Sequence, residues 1–162
     1  MVKHFKPEVI PNPEQRWLSD EEQAAWRTLI AVTVRLPAAL DRQLQRDAGI
    51  SHFDYQVLAG LSEAPDSTLR MSALAMLTES SLSRLSQVVA RLEKNEWVRR
   101  TPDPTDGRYT LATLTTDGWD KVVATAPGHV EAVRTHVFDA LTKAQISQLT
   151  TIGQRIMSAI SQ

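Results

Sequence analysis

Cysteine is absent from the 162 residues of the chain. This absence excludes structural disulfides, zinc sites built from thiolates and redox sensing through cysteine. Long apolar runs are missing as well, because the longest stretch, residues 28–40, is interrupted by Pro37 and falls short of the roughly 20 residues that a membrane span needs. Residues 1–13 contain no continuous apolar segment, which argues against a signal peptide. We therefore expect a cytoplasmic protein without a membrane partner.

Recognisable catalytic and metal-binding motifs are also missing. The sequence has no HExxH motif, no glycine-rich phosphate loop and no G-x-S-x-G motif. His4, His129 and His136 show no paired spacing with carboxylates, so the pattern gives no support to a metal site. Serine, histidine and aspartate occur, but nowhere in a catalytic constellation. We therefore expect neither an enzyme nor a protein with a cofactor.

The length and the charge of the chain limit its organisation. A chain of 162 residues can bury one core but is too short for two ordinary domains with a linker. Its formal net charge of −1 argues, at first sight, against DNA, whose phosphates are neutralised by basic residues. Residues 84–108, however, contain six basic and four acidic side chains, whereas residues 14–22 are acidic. This asymmetry suggests an anionic partner near residues 84–108.

Apolar residues at steps of three and four predict helices at both ends of the chain. Ser19, followed by three acidic residues, is typical of a helix start, and Gly49 of a helix end. Pro37 predicts a bend in that helix but no break. Thr142 and Gln145 form a capping-box sequence for the last helix. A single small domain would struggle to bury both apolar stripes, so we expect an interface between two copies, with packing inside one chain as the alternative.

The middle of the chain has a different pattern. Ser51 and Asp54 resemble a capping box for a helix that ends before Pro65, and two further helices are predicted over 72–77 and 81–95. The first of these should bury Leu74 and Leu77; the second should bury Leu85, Val88, Val89 and Leu92. Two strands joined by an Asp-Gly corner are predicted over 97–115, and another helix, with a bend or brief interruption at Pro127-Gly128, from about Asp117.

One series of motifs runs through this region, and its order matters more than any single motif. It comprises Leu74-Ala-x-x-Thr78-x-x-Ser81-x-Ser83-Arg84-Leu85-x-x-x-Val89-x-Arg91-Leu92-Glu93, then Trp97-Val98-Arg99-Arg100, Asp103-Pro-Thr-Asp106-Gly-Arg108 and Leu114-Thr115-x-x-Gly118. The series resembles the MarR family of bacterial transcriptional regulators. That family usually has glycine at the end of the recognition helix, where this chain has Asn95, a residue that can also adopt the left-handed conformation.

The resemblance implies a fold and a function. The fold is mainly α (α+β), a single MarR-type domain over 1–162 with dimerisation helices at 17–48 and 116–162. A winged helix-turn-helix occupies 51–115, with the recognition helix at about 81–95 and the wing at about 97–115. Similar proteins are homodimers that bind palindromic double-stranded DNA and release it when a small aromatic or phenolic effector binds. We therefore expect a ligand-responsive regulator, more often a repressor in such families than an activator.

Candidate DNA contacts follow from the residue types on the recognition helix and the wing. Arginine can pair with guanine, glutamine with adenine and serine with either, which suits a helix in the major groove. Arg108 is expected to reach the minor groove or its phosphates, with Asp106 positioning it. The alternatives are a solvated helix face and an ordinary surface turn. The predicted contacts are Ser81, Ser83, Arg84, Ser86, Gln87 and Arg91 on the helix, and Arg99, Arg100, Asp106 and Arg108 on the wing.

A pocket for the effector is predicted between the dimerisation helices and the DNA-binding lobe. Its candidate residues are Arg16, Trp17, Trp26 and His52. For His52 the favoured alternative is an ordinary surface or core histidine. The alternative function for the whole chain is a winged-helix protein-interaction module without sequence-specific DNA binding. Neither the effector nor the operator can be read from the sequence.

Overall fold

A computed structural model describes residues 16–161 of the chain. The described part divides within its first helix into two compact units, with the boundary between Arg35 and Leu36. The helices are α1 (Asp20–Ala48), α2 (His52–Ser62), α3 (Met71–Leu77), α4 (Leu82–Lys94), α5 (Thr116–Val133) and α6 (Lys143–Ile160); the strands are β1 (Thr68–Arg70), β2 (Val98–Pro102) and β3 (Thr110–Leu114). This mainly helical architecture with a small sheet confirms the predicted fold class. No helix in the described range is long and apolar enough to cross a membrane.

The two ends of α1 form as their residues predict. The Ser19 hydroxyl accepts a hydrogen bond from the Glu22 amide at 3.1 Å, and the Glu22 carboxylate accepts one from the Ser19 amide at 2.8 Å. The helix continues through Pro37 without a break. It ends where Gly49 adopts a φ of 68°, which glycine reaches without steric cost.

The core lies in the second unit, between α2, α3, α4 and the sheet. As predicted, α4 buries Leu85, Val88, Val89 and Leu92. Leu74 of α3 is fully buried, but the prediction for Leu77 is wrong, since this side chain is 57% exposed. Leu77 occupies the last position of a helix of seven residues, where it rests against Gly60 on one side and meets solvent on the other.

The sheet is antiparallel, with the strand order β1-β3-β2. The predicted hairpin is β2 and β3, which pair from Val98 opposite Leu114 to Pro102 opposite Thr110. The third strand, β1, was not predicted, because three residues are too few to show an alternating pattern. This strand joins the start of α3 to the wing and so fixes the wing beside the helix-turn-helix.

The C-terminal helices differ from expectation at one point. Of the predicted bend or brief interruption at Pro127-Gly128, the interruption is wrong, since α5 continues through both residues, and the irregular turn is a π-helical segment at Arg134–Phe138. The bend stays a prediction. A proline inside a helix removes one backbone hydrogen bond, which long flanking segments can tolerate. The predicted capping box of α6 is confirmed, with the Gln145 amide 3.3 Å from the Thr142 hydroxyl.

Candidate nucleic-acid interface

The helix α4 buries one side. Its remaining side chains form an outermost face and two flanks. Successive residues on an α-helix are turned by about 100°, so Ser83, Gln87 and Lys94 point directly away from the buried leucines and valines. All three side chains are exposed. The Ser81 hydroxyl is the N-cap and accepts a hydrogen bond from the Arg84 amide at 3.2 Å. At the N-terminal end of α4, the side chains of the outermost face are therefore short, polar and accessible to solvent.

One flank of α4 contacts the first turn of α2. The Arg84 guanidinium carbon lies 4.3 Å from the centre of the Phe53 ring. Arg91, about two turns further along, forms an ion pair with Asp54. Asp54 also completes the capping box of α2, whose N-cap is Ser51, because its carboxylate accepts hydrogen bonds from the Ser51 amide and hydroxyl. Both arginines of this flank are thus held by neighbouring residues of α2.

The opposite flank of α4 contacts the strand β2. Glu93 accepts hydrogen bonds from the Arg100 amide at 2.8 Å and from its Nε at 2.7 Å. Burial alone would raise the pKa of Glu93, but the hydrogen bonds from Arg100 outweigh it and lower this pKa below its ordinary value. A further contact of 3.4 Å joins Arg100 to the Ser86 hydroxyl. The next residue back along the strand, Arg99, is exposed.

The tip of the wing is organised around Asp106 and Arg108. The Arg108 guanidinium donates to both carboxylate oxygens of Asp106, at 3.0 Å from Nε and 2.7 Å from Nη2. This bidentate pair lowers the pKa of Asp106 and gives the guanidinium a defined direction. The Arg108 side chain is 84% exposed. Asp106 therefore positions Arg108, as expected, while contact of Arg108 with DNA stays a prediction.

The start of the wing loop, directly after β2, contains an ion pair that sequence reasoning missed. Arg70 of β1 donates to Asp103 at 2.8 Å and lies 4.5 Å from the centre of the Tyr109 ring. Asp103 is only 6% exposed and accepts hydrogen bonds from the Thr105 hydroxyl and amide. These hydrogen bonds, with the nearby Arg70 charge, lower the pKa of Asp103 to about 2. The Asp-Pro-Thr turn is a local signal for Asp103, but nothing in the sequence points to Arg70.

A cleft of about 410 Å³ lies between α4 and the wing. Ser86 of α4, Arg100 of β2 and Arg108 of the wing tip all line it, so the structure brings these three predicted residues together. Leu82 also lines the cleft and is 54% exposed; it was not among the predicted contacts.

The four residues of the predicted effector pocket fall in different units. Trp17 and Trp26, 60% and 54% exposed, lie with the exposed Arg16 in the N-terminal unit. His52 belongs to the second unit, where burial lowers its pKa against the opposing influence of Asp41. The predicted pocket therefore stays a prediction. In the described part of the chain, no group of three or more metal-ligating side chains occurs.

Comparison with known proteins relates this arrangement to regulators of transcription. The family model described as "MarR family" matches residues 48–108. The chain is 49% identical to Sco3205 of Streptomyces coelicolor, a MarR family transcriptional regulator solved in complex with DNA; the match covers 91% of this chain and 92% of that one, with a TM-score of 0.87. It is 37% identical to AbsC of the same organism, a MarR family regulator, over 91% and 99% of the two chains, with a TM-score of 0.86.

A curated relative gives a shorter match. The chain is 33% identical over 78 residues to YdcH of Bacillus subtilis (strain 168), an uncharacterised regulator of the helix-turn-helix type. This match covers 48% of the chain and only about half, 52%, of that relative.

Proposed function

Because the chain belongs to the MarR family of transcriptional regulators, which bind DNA, we propose that it is a homodimeric repressor of palindromic operators that responds to a small ligand. The observation that carries this proposal is that α4 and the wing border one cleft. Leu82 and Ser86 of α4 line it together with Arg100 and Arg108 of the wing. A major groove about 12 Å wide admits such a helix while the wing follows the neighbouring minor groove.

The proposed contacts divide into two classes. Ser83, Arg84 and Gln87 read base edges, while Ser81 and Ser86 lie close to the DNA backbone. Basic residues outside the helix hold phosphates. Arg99 is the stronger candidate for a phosphate contact, because Arg100 already shares its charge with Glu93. Arg91, paired with Asp54, contributes chiefly by fixing the helix.

Selection of bound duplexes from random DNA tests the proposal. We expect a palindrome whose half-sites lie about 34–36 Å apart, one turn of DNA. Arg84→Ala should remove the preference at one base pair of each half-site, by about 1–3 kcal/mol. Arg99→Ala should instead weaken selected and shuffled duplexes alike and reduce the slope of log K against log salt by about 1. Binding that is weak and independent of sequence and salt would favour a protein-interaction module.

The homodimer is proposed through the helices at 17–48 and 116–162. Large apolar side chains are exposed along one stripe of α6, which supports a partner that covers them; they are Leu149, Ile152, Ile156 and Ile160. Ile156→Glu should give a monomer with much weaker operator binding. Gln154→Glu on the opposite face of the helix is the control and should leave the dimer intact. A wild-type chain that is monomeric by light scattering at micromolar concentration would refute this part of the proposal.

The effector site is proposed at the predicted pocket of Arg16, Trp17, Trp26 and His52. The exposed indole surfaces suit an aromatic or phenolic molecule. A second place is the groove of about 530 Å³ between the C-terminal half of α1 and α5. Gln43 lines this groove, and its buried Oε1 has no hydrogen-bond partner among the described residues. An effector that releases the selected duplex should no longer do so in Trp26→Ala if it binds at the predicted pocket. It should no longer do so in Gln43→Ala if it binds in the groove.

A further inference from the structure

We propose that Phe53 is a positioning residue for DNA sequence recognition, because its ring holds the guanidinium of Arg84 at the edge of the recognition helix. The inference rests on the proposed role of Arg84 in reading a base. Phe53 lies in the first turn of α2, outside the helix-turn-helix motif itself. The first turn of α2 would then belong to the recognition apparatus without touching DNA.

The contact with Phe53 differs in kind from the contacts of the other arginines around α4. Arg91, Arg100 and Arg108 are each held by a carboxylate, which neutralises the charge and occupies N–H donors. Arg84 lies over an aromatic ring and has no ion pair among residues 16–161. A guanidinium has five N–H donors in its plane, and a ring carries no carboxylate oxygen to accept from them. Phe53 therefore restrains Arg84 while its charge and its donors stay available for guanine O6 and N7.

The position of the ring is itself well fixed. Phe53 is half-buried and packs against the hydrophobic core with its inner side. The adjacent residue, Asp54, is buried, belongs to the capping box of α2 and pairs with Arg91 on the same flank of α4. The backbone of Arg84 is fixed as well, through its amide hydrogen bond to Ser81. Only the long side chain of Arg84 could then change its conformation, and the contact with the ring restrains it.

A restrained arginine loses less conformational entropy when it binds a base. An exposed contact between a guanidinium and an aromatic ring is worth roughly a two- to five-fold change in an equilibrium constant. Removing the ring should therefore reduce affinity for the selected duplex by about this factor, provided that Arg84 stays on the ring in the complex. Non-specific binding, which depends on phosphate neutralisation, should not change.

The experiment compares Phe53→Met with Phe53→Tyr in the full-length chain. Methionine fills a similar volume without an aromatic face, whereas tyrosine keeps the face. Dissociation constants are measured at one salt concentration for the duplex selected from random DNA and for a shuffled duplex of the same composition. We expect F53M to weaken binding to the selected duplex only, and F53Y to bind as the wild type does. In the Arg84→Ala background, F53M should have no further effect.

Each of the following results would overturn the proposal. Equal losses on both duplexes, or a loss that persists in the R84A background, would mean that Phe53 acts through the general fold. Tighter binding by F53M would mean that the ring competes with DNA for Arg84. An R84A loss without any F53M loss would refute this inference alone, whereas unchanged binding by R84A would refute the proposed reading by Arg84 as well. If F53M does not fold, Phe53→Leu provides the same comparison.

Discussion

The ion pair between Asp54 and Arg91 offers a direct test of what holds the recognition helix in place. Asp54 is 5% exposed and has three hydrogen-bonding partners: the amide and the hydroxyl of Ser51, and the Arg91 guanidinium. Replacing Asp54 by alanine removes the carboxylate half of the capping box of α2 and the anchor of α4 together. Replacing Arg91 by alanine removes only the anchor and leaves the carboxylate with its two contacts to Ser51.

The size of each effect follows from these partners. Loss of a hydrogen bond to a charged group costs about 1.5–3 kcal/mol, whereas the N-cap itself stays in place because the Ser51 hydroxyl accepts the backbone amide of residue 54. Arg91 is 54% exposed, so water replaces part of what the pair contributes. We therefore expect Asp54→Ala to lower the free energy of unfolding by about 2–4 kcal/mol and Arg91→Ala to lower it by about 1–2 kcal/mol.

A double-mutant cycle measured by urea unfolding gives the coupling between the two side chains. Because the residues are in contact, the double variant should be more stable than the sum of the single effects predicts, by about 1 kcal/mol. The protein concentration must be the same for all four proteins, since a dimer's stability depends on it. Additive effects would refute the reasoning. If R91A keeps its stability but loses operator affinity, Arg91 is a DNA contact and not an anchor.

Two further predictions concern the wing and the helix α5 that packs against its start. A methyl group at Gly118 would lie 2.1 Å from the Trp97 carbonyl oxygen, so Gly118→Ala should lower the free energy of unfolding by about 3 kcal/mol or more. At Gly107 a methyl group meets nothing within 4 Å, so Gly107→Ala should leave the free energy of unfolding unchanged. Thermal melting of both variants checks this difference. Because the pKa of Asp103 is lowered to about 2 from an ordinary 3.8, its stabilising effect is complete above pH 3.8 and is lost as the pH falls toward 2. Asp103→Asn should abolish this part of the acid dependence, and identical pH profiles of melting temperature for variant and wild type would contradict the assignment.

Features that depend on neighbouring residues could be predicted from the sequence. The capping box of Ser51 and Asp54, that of Thr142 and Gln145, and the end of α1 at Gly49 all involve residues within one turn of each other. Their side chains and backbone are close in any helical conformation, so the pattern fixes the geometry. The buried stripe of α4 could be predicted for the same reason.

Features that depend on tertiary context could not. Leu77 has the right spacing for burial, but α3 ends there, and nothing in its own sequence says how far the helix runs. Asn95 was expected to supply a left-handed residue after α4. The structure gives that conformation to Glu96, with a φ of 62°, while Asn95 has a φ of −91°. The next strand begins at Val98, so the chain has to reverse at a fixed point, and this requirement overrides the preference of asparagine.

In the candidate site, the types of side chain could be predicted from the sequence, but their partners could not. The sequence identifies which side chains could contact DNA, because serine, arginine and glutamine stand out on the face of a helix. It does not show what holds them. Arg91 and Asp54 are 37 residues apart, and Arg70 and Asp103 are 33 residues apart. No periodicity connects such distant positions, so only the folded chain reveals that an arginine is already paired.

This pairing changes how the local positive charge should be interpreted. Of the six basic residues in 84–108, Arg91, Arg100 and Arg108 each share their charge with a carboxylate. A surface of this kind attracts phosphates less strongly than the count of basic residues suggests, because each pair is nearly neutral at a distance. Its weak long-range attraction should keep binding to random DNA low. Affinity must then come from close fit, in which a directed guanidinium such as that of Arg84 contributes only where the matching base is present.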